Sequence, residues 1–237
     1  MSLDIKFISP IKEIPSPSPS KLFIPDGFKK MERSTGGNPT QGTVKRCVPF
    51  LDALTTGYII PFASDIHYIY NEDEKAAEFT LPKNVTSIDK HYISVGLHAN
   101  SQVDQELRHN KRTVEAVFKF TNPWKIITPP GYSCIFTQPF NRNFPFKIID
   151  GIVDTDIYPN HVHFPFYWTN DSLKQFTIKR ASPMVLVIPF KRNSWQMSVE
   201  HIGLSEHTKR ETKSARKFFY EFLDNYKRKF WFKKEYK

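Results

Sequence analysis

The sequence predicts a mainly β protein, an antiparallel barrel or sandwich carrying a proline-rich N-terminal arm and a C-terminal amphipathic basic helix. Three observations lead there. Between Asn122 and Arg192 the short apolar runs WKIIT, YSCIFTQ, KIIDGIV, HVHFPFYW, QFTIKR and MVLVIPFK follow one another, separated by PPG, NRNFP, DTDIYPN, TNDS and ASP. Strands this short and regular favour antiparallel pairing over alternating βαβ units. Pro10, Pro15, Pro17, Pro19 and Pro25 punctuate the beginning of the chain, and proline's fixed φ and missing N–H disfavour helix and central strand. After Gly203, Phe218, Phe219, Phe222, Leu223, Tyr226 and Phe230 recur at helical spacing between cations.

Each element follows in order. Residues 1–42 read as an extended arm and a GGNPTQG loop, either a flexible leader or an arm laid on its own domain or on a neighbouring subunit. Residues 43–203 read as the β domain. In it VKRCVPFLDALTTGYIIPFASDIHYIY, rich in β-branched and aromatic residues, predicts two strands with a bend. Asn71–Lys75 reads as a turn and Ala77–Leu81 as a strand. An insertion or lid is expected near 82–112, where alternation in HYISVGL gives way to polar SQVDQELRHN. Thr113–Phe120 alternates again, with Val114, Ala116, Phe118 and Phe120 on one face. Pro129-Pro130-Gly131 signals a turn. Residues 204–237 predict the helix, with Ser205 or Thr208 as its cap and Glu211 at capping-box spacing from Thr208.

At 237 residues, 39% hydrophobic and 15% aromatic, the chain has ample material for a core, which excludes disorder throughout. Its net charge of +10 attracts acidic partners, protein or nucleic acid, without identifying either. Only Cys47 and Cys134 are present, neither in a CxxC or Cys/His arrangement, so no disulfide framework or structural zinc is expected and a reducing cytoplasm fits. No signal-peptide pattern or run of about 20 apolar residues is found, so a soluble protein, in the host cytoplasm or in a particle if viral, is expected.

Four motifs follow one another along the chain. Thr56-Gly57-Tyr58-Ile59-Ile60, Pro129-Pro130-Gly131-Tyr132, Gly151-Ile152-Val153-Asp154-Thr155-Asp156-Ile157-Tyr158 and the run Ile178–Ile188 occur in that order. Together they resemble the dUTPase and dCTP deaminase superfamily over about Ala53–Arg192. Asn122–Arg192 also resembles a set of uncharacterised proteins of tailed phages and their hosts, a resemblance that implies no activity. The first resemblance implies a β-clip fold, a trimer with active sites between subunits, and a water-activating carboxylate at Asp154. In the enzyme reading Asp154 is the general base, and Tyr58, Asn141, Arg142 and Asp156 shape the pocket. The departures oppose it. Ile59 stands where the metal-associated aspartate belongs and offers no hard oxygen ligand. Thr137-Gln138-Pro139 replaces the Arg-Ser-Gly triplet, Leu186 replaces a functional glutamine, and the glycine-rich C-terminal motif is absent. The apolar skeleton persists while the polar groups do not, so the expected function is a non-enzymatic binding or structural protein, phage-encoded, on a degenerate dUTPase-like fold. Asp154 and Asp156 then serve as turn residues capping backbone N–H groups.

Other constellations are weaker. His161 and His163 fall on one face if the segment is a strand, as a cupin-like metal site requires, but further ligands are missing, and two histidines side by side on an exposed strand is the plainer reading. Ser133 and Ser182 lack a GxSxG context, and there is no Walker lysine, so no nucleophile and no cofactor are expected. From Ser205 to Lys237 there are 11 Lys+Arg and 5 Asp+Glu, 11 − 5 = +6 of the total charge. Lys213, Arg216, Lys217, Lys227, Arg228 and Lys229 are therefore candidate contacts to an anion or nucleic acid. The favoured alternative docks the aromatic face on the β core and leaves these cations in water.

Overall fold

Phe164, Phe166 and Trp168 are buried while Pro165 and Tyr167 are half-buried, the period-two pattern of a strand with one face on a core. The computed structural model describes residues 3–38, 41–71, 76–86, 90, 92–98, 117–169, 174–219 and 225–237. The fold is mainly β, in several sheets. In chain order the strands are β1 (Lys6–Ile8), β2 (Ser18–Pro19), β3 (Tyr58–Pro61), β4 (Ile66–Asn71), β5 (Ala76–Thr80), β6 (Val95–His98) and β7 (Val117–Phe120). They continue with β8 (Lys125–Ile127), β9 (Tyr132–Thr137), β10 (Phe146–Ile148), β11 (Gly151–Val153), β12 (Phe164–Trp168), β13 (Gln175–Ile178) and β14 (Pro183–Lys191). The helices are α1 (Asp26–Lys30), α2 (Val48–Thr55), α3 (Leu204–Phe219) and α4 (Asn225–Lys229).

The chain divides into two compact units. The first comprises Met1–Ile24, Leu54–Arg192 and Tyr236–Lys237, the second Pro25–Ala53 and Asn193–Glu235. All the strands lie in the first unit and pair antiparallel, in the orders β1-β8, β10-β12-β7-β6, β11-β9-β14-β3-β2 and β13-β4-β5. One aromatic layer joins three of these sheets. Phe120 and Phe166 of the four-stranded sheet stack with centroids 3.8 Å apart. Phe62, just after β3, meets Phe120 edge-on at 4.9 Å, and Tyr68 of β4 meets Trp168 at 4.5 Å. These edge-to-face and stacked geometries add to simple area burial.

β14 is the spine of the five-stranded sheet. Leu186 and Val187 pair with β9 on one flank and β3 on the other, and Met184–Val187 is an unbroken buried run. Gly57 makes the approach to β3 possible. Its φ is +67°, and a Cβ there would lie 2.2 Å from the Val187 carbonyl oxygen.

In the second unit Phe28 stacks on Phe50 at 5.6 Å, and Lys45 donates to the carbonyls of Phe28 and Lys29. Asp52 on α2 accepts from Trp231 Nε1 at 3.0 Å and from Lys234. Asp52→Asn weakens both contacts, so limited proteolysis should cut the 230–235 segment several-fold faster in that variant.

The structure corrects several expectations. Val48–Thr55, read as strand, is helical: Leu51 N donates to Cys47 O. β3 and β4 are the two strands, with the bend at residues 62–65. KIIDGIV, read as one strand, breaks at Ile149–Asp150 into β10 and β11, which belong to different sheets. His161–His163 is not strand. Thr208 is not the α3 cap but sits inside the helix, donating to Leu204 O, while Gly203 O accepts from the N–H groups of Glu206 and His207. Part of the proline-rich segment pairs as β1 and β2, with Ser20 buried and donating to Leu54 O. Asn71, the first residue of the turn expected at Asn71–Lys75, ends β4, while the rest of that turn, the strand start at 113–116 and most of the insertion near 82–112 lie outside the described residues, although β6 falls within that insertion and pairs with β7.

Candidate functional site

Three strand ends bring the conspicuous polar groups together. β9 lies between β11 and β14, with Val153 opposite Cys134 and Phe190 opposite Ser133. Asp154 (one past β11), Ser133 (on β9) and Arg192 (one past β14) are therefore neighbours. The turn before β9 completes the group. Gly131, at φ +84°, accepts from Arg192 N through its carbonyl and donates its own N–H to Asp156 Oδ2 at 2.8 Å.

Arg192 grips Asp156 with both terminal nitrogens, Nη1 on Oδ1 at 2.7 Å and Nη2 on Oδ2 at 2.5 Å. Nη1 also lies 3.3 Å from Asp154 Oδ1 and donates to Ser133 Oγ and Tyr132 O. Ser133 donates its own proton to Asp154 Oδ1 at 2.6 Å. Between the two carboxylates, the buried Thr155 hydroxyl bonds Thr128 Oγ1 at 2.7 Å and Cys134 Sγ at 3.3 Å. This is a clamp that locks three strands in register, and its planar guanidinium–carboxylate fork gives it directionality.

The electrostatics agree. The Arg192 hydrogen bonds, followed by the Gly131 N–H, hold the Asp156 carboxyl down at about 2, and Asp156 in turn raises Arg192. A depressed carboxyl stabilises the fold fully above its unfolded value of about 4, and that contribution disappears as pH falls through the folded value. Arg192→Met should therefore remove the part of the stability that wild type loses as pH falls from about 4 to about 2, read as a flatter dependence of the urea midpoint on pH in that window by circular dichroism.

Burial separates structure from chemistry here. Ser133 is fully buried and so cannot meet a substrate, whereas the Asp154 side chain is 51% exposed. The buried Cys134 thiol is pushed up to about 11 by desolvation, partly offset by the Thr155 hydroxyl. Cys47 is exposed. One thiol should thus react with an aromatic disulfide reagent in native protein, none after Cys47→Ser, and Cys134 only after denaturation.

The other expected residues do not join this group. Among the described residues no hydrogen bond or ion pair links Tyr58, Asn141 or Arg142 to Asp154 or Asp156. Tyr58 packs edge-on against Phe7 and Tyr236, and its hydroxyl is raised by burial and by Tyr236. Ile59 is buried with no exposure and serves the core. Asn141 is exposed, in the left-handed region at φ +55°. The adjacent Arg142 reaches Leu54 O through Nη2 at 3.4 Å, while its buried Nε and Nη1, and the Nε2 of nearby Gln138, lack partners. Burial lowers the Arg142 guanidinium.

The histidines flank buried Asn122. Its N–H donates to His163 Nδ1 at 3.1 Å, and His161 Nδ1 bonds its carbonyl at 3.0 Å. A carbonyl only accepts, so His161 carries its proton on Nδ1 while His163 does not. Among the described residues no cluster of three His, Cys, Asp or Glu forms a metal donor set. Lys227, Arg228 and Lys229 lie in α4 and are exposed; Lys213, Arg216 and Lys217 lie in α3, with their side chains outside the described ones. No helix among the described residues is long and apolar enough to cross a membrane.

Sequence reasoning considers Ser133 only as a nucleophile and does not single out Arg192, because only the β11-β9-β14 neighbour order juxtaposes them with Asp154 and Asp156. Comparison with known proteins returns nothing: no family model, curated protein or solved structure matches this chain.

Proposed function

We propose that the chain is a non-enzymatic binding or structural protein, phage-encoded and built on a degenerate dUTPase-like β-clip scaffold, that contacts an acidic or protein partner. One observation carries this reading: both carboxylates of the Asp154-Thr155-Asp156 motif are engaged by Arg192, Ser133 and the Gly131 N–H in a strand-locking clamp. A base committed to holding strands together is poorly placed to take protons from water. The partner's acidity is argued from the +10 charge and the exposed cations of α4.

The test is a panel of nucleoside triphosphates and deoxynucleotides incubated with Mg²⁺. No hydrolysis or deamination above background is expected. Turnover that Asp154→Asn abolishes would establish the alternative, a diverged nucleotide hydrolase or deaminase. The half exposure of the Asp154 side chain favours that second reading. Nucleic-acid binding through the basic C-terminal helices has the exposed Lys227, Arg228 and Lys229 in its favour. Truncation before Ser205 should then weaken binding to single-stranded DNA and flatten its salt dependence; unchanged binding excludes that route.

A further inference from the structure

Residues Asn193–Ile202 follow β14 without regular secondary structure and make no hydrogen bond among the described residues. In it Trp195, Met197 and Val199 alternate with Gln196, Ser198 and Glu200, and the three apolar side chains are 91%, 86% and 69% exposed. Alternation of this kind belongs to a strand with one face buried. Here the segment is exposed on both sides and its backbone makes no hydrogen bond among the described residues. Isolated exposed apolar residues are ordinary, but three at alternate positions of one exposed segment supply the apolar face that an added strand needs.

The same chain carries an edge that matches it. β11 is paired on one side only, by β9. Ile152 on it is 65% exposed and Ile157 in the following turn 73%. Exposed edges of this sort recruit strands. Both flanks of β14 are already taken, by β3 and β9, so the segment that follows it cannot pair with its own parent strand.

We infer that Asn193–Glu200 is an exchange arm that adds a strand to the β11 edge of a second copy of this chain, seating Trp195, Met197 and Val199 against that copy's Ile152 and Ile157. Area decides in favour of reciprocal exchange. The five side chains expose on the order of 600 Å² of apolar surface, about half of what a stable interface buries. Two arms crossing about a twofold axis reach the roughly 1,200–2,000 Å² of a specific dimer.

Light scattering after gel filtration tests this with the full chain at about 50 µM. The protein should run at twice its 27.8 kDa monomer mass. The double variant Trp195→Ser/Met197→Ser and the edge variant Ile152→Lys should each run as monomers with unchanged circular dichroism. Backbone pairing predicts a further readout that side-chain stickiness alone does not: amides of 194–200 and 151–153 should gain at least tenfold protection from hydrogen exchange in dimer over diluted monomer. A wild-type monomer at this concentration, an oligomer that survives the arm substitutions, or loss of the dimer in the arm variant but not in Ile152→Lys would each overturn the proposal.

Discussion

Phe166→Ala should destabilise the protein by about 3–5 kcal/mol, the cost typical of deleting a fully buried aromatic ring. Phe166 is wholly buried and stacks face to face on Phe120, with the planes 7° apart. Its ring also lies within about 6 Å of Phe118, Phe146 and Trp168. These neighbours come from β7, β10 and β12, and removing the shared ring leaves a cavity that three paired strands cannot close by moving independently. Urea denaturation followed by tryptophan fluorescence measures the loss, with Phe166→Leu expected to recover about half of it. A loss below about 1 kcal/mol would mean that this aromatic layer is not the core.

Gly57→Ala is the second large effect, expected to exceed about 2 kcal/mol although it adds one methyl group. Two independent penalties coincide. The residue is in the left-handed region, and the new carbon would lie 2.2 Å from the Val187 backbone oxygen, an atom fixed by the β14 ladder. Relief requires β3 to retreat from β14. Since Gly57 O also accepts from Ser20 N, the β2 segment retreats with it. Faster amide exchange throughout β3, measured beside a lower urea midpoint, distinguishes this from a local distortion.

Much of the β unit was legible because its signals are local. The Pro129-Pro130-Gly131 turn, the runs that become β8, β9, β12, β13 and β14, and the change of period after Gly203 depend on neighbours in sequence. The misreadings have physical causes. Val48–Thr55 contains the same β-branched and aromatic types as a strand, and a short apolar segment does not reveal its period. Ile148 and Ile152 belong to one apolar run yet to two sheets, since the break at Ile149–Asp150 is made by tertiary packing. In the candidate site, Asp154 and Asp156 stood out by motif, whereas their partners Ser133 and Arg192 are 21 and 36 residues away from them. Charge and residue type do not encode that distance; sheet order does.

The position of β14 governs how the molecule is born. β3 emerges early in synthesis, but its partner strand ends at Lys191, and Val187 must reach back to Tyr58 across most of the unit. Until then β3 and β9 have finished backbones with nothing between them, and loop-closure entropy delays their union. The sheet therefore stays without its central strand until the end of the β unit has been made, so refolding should be slow compared with a sheet of sequential hairpins.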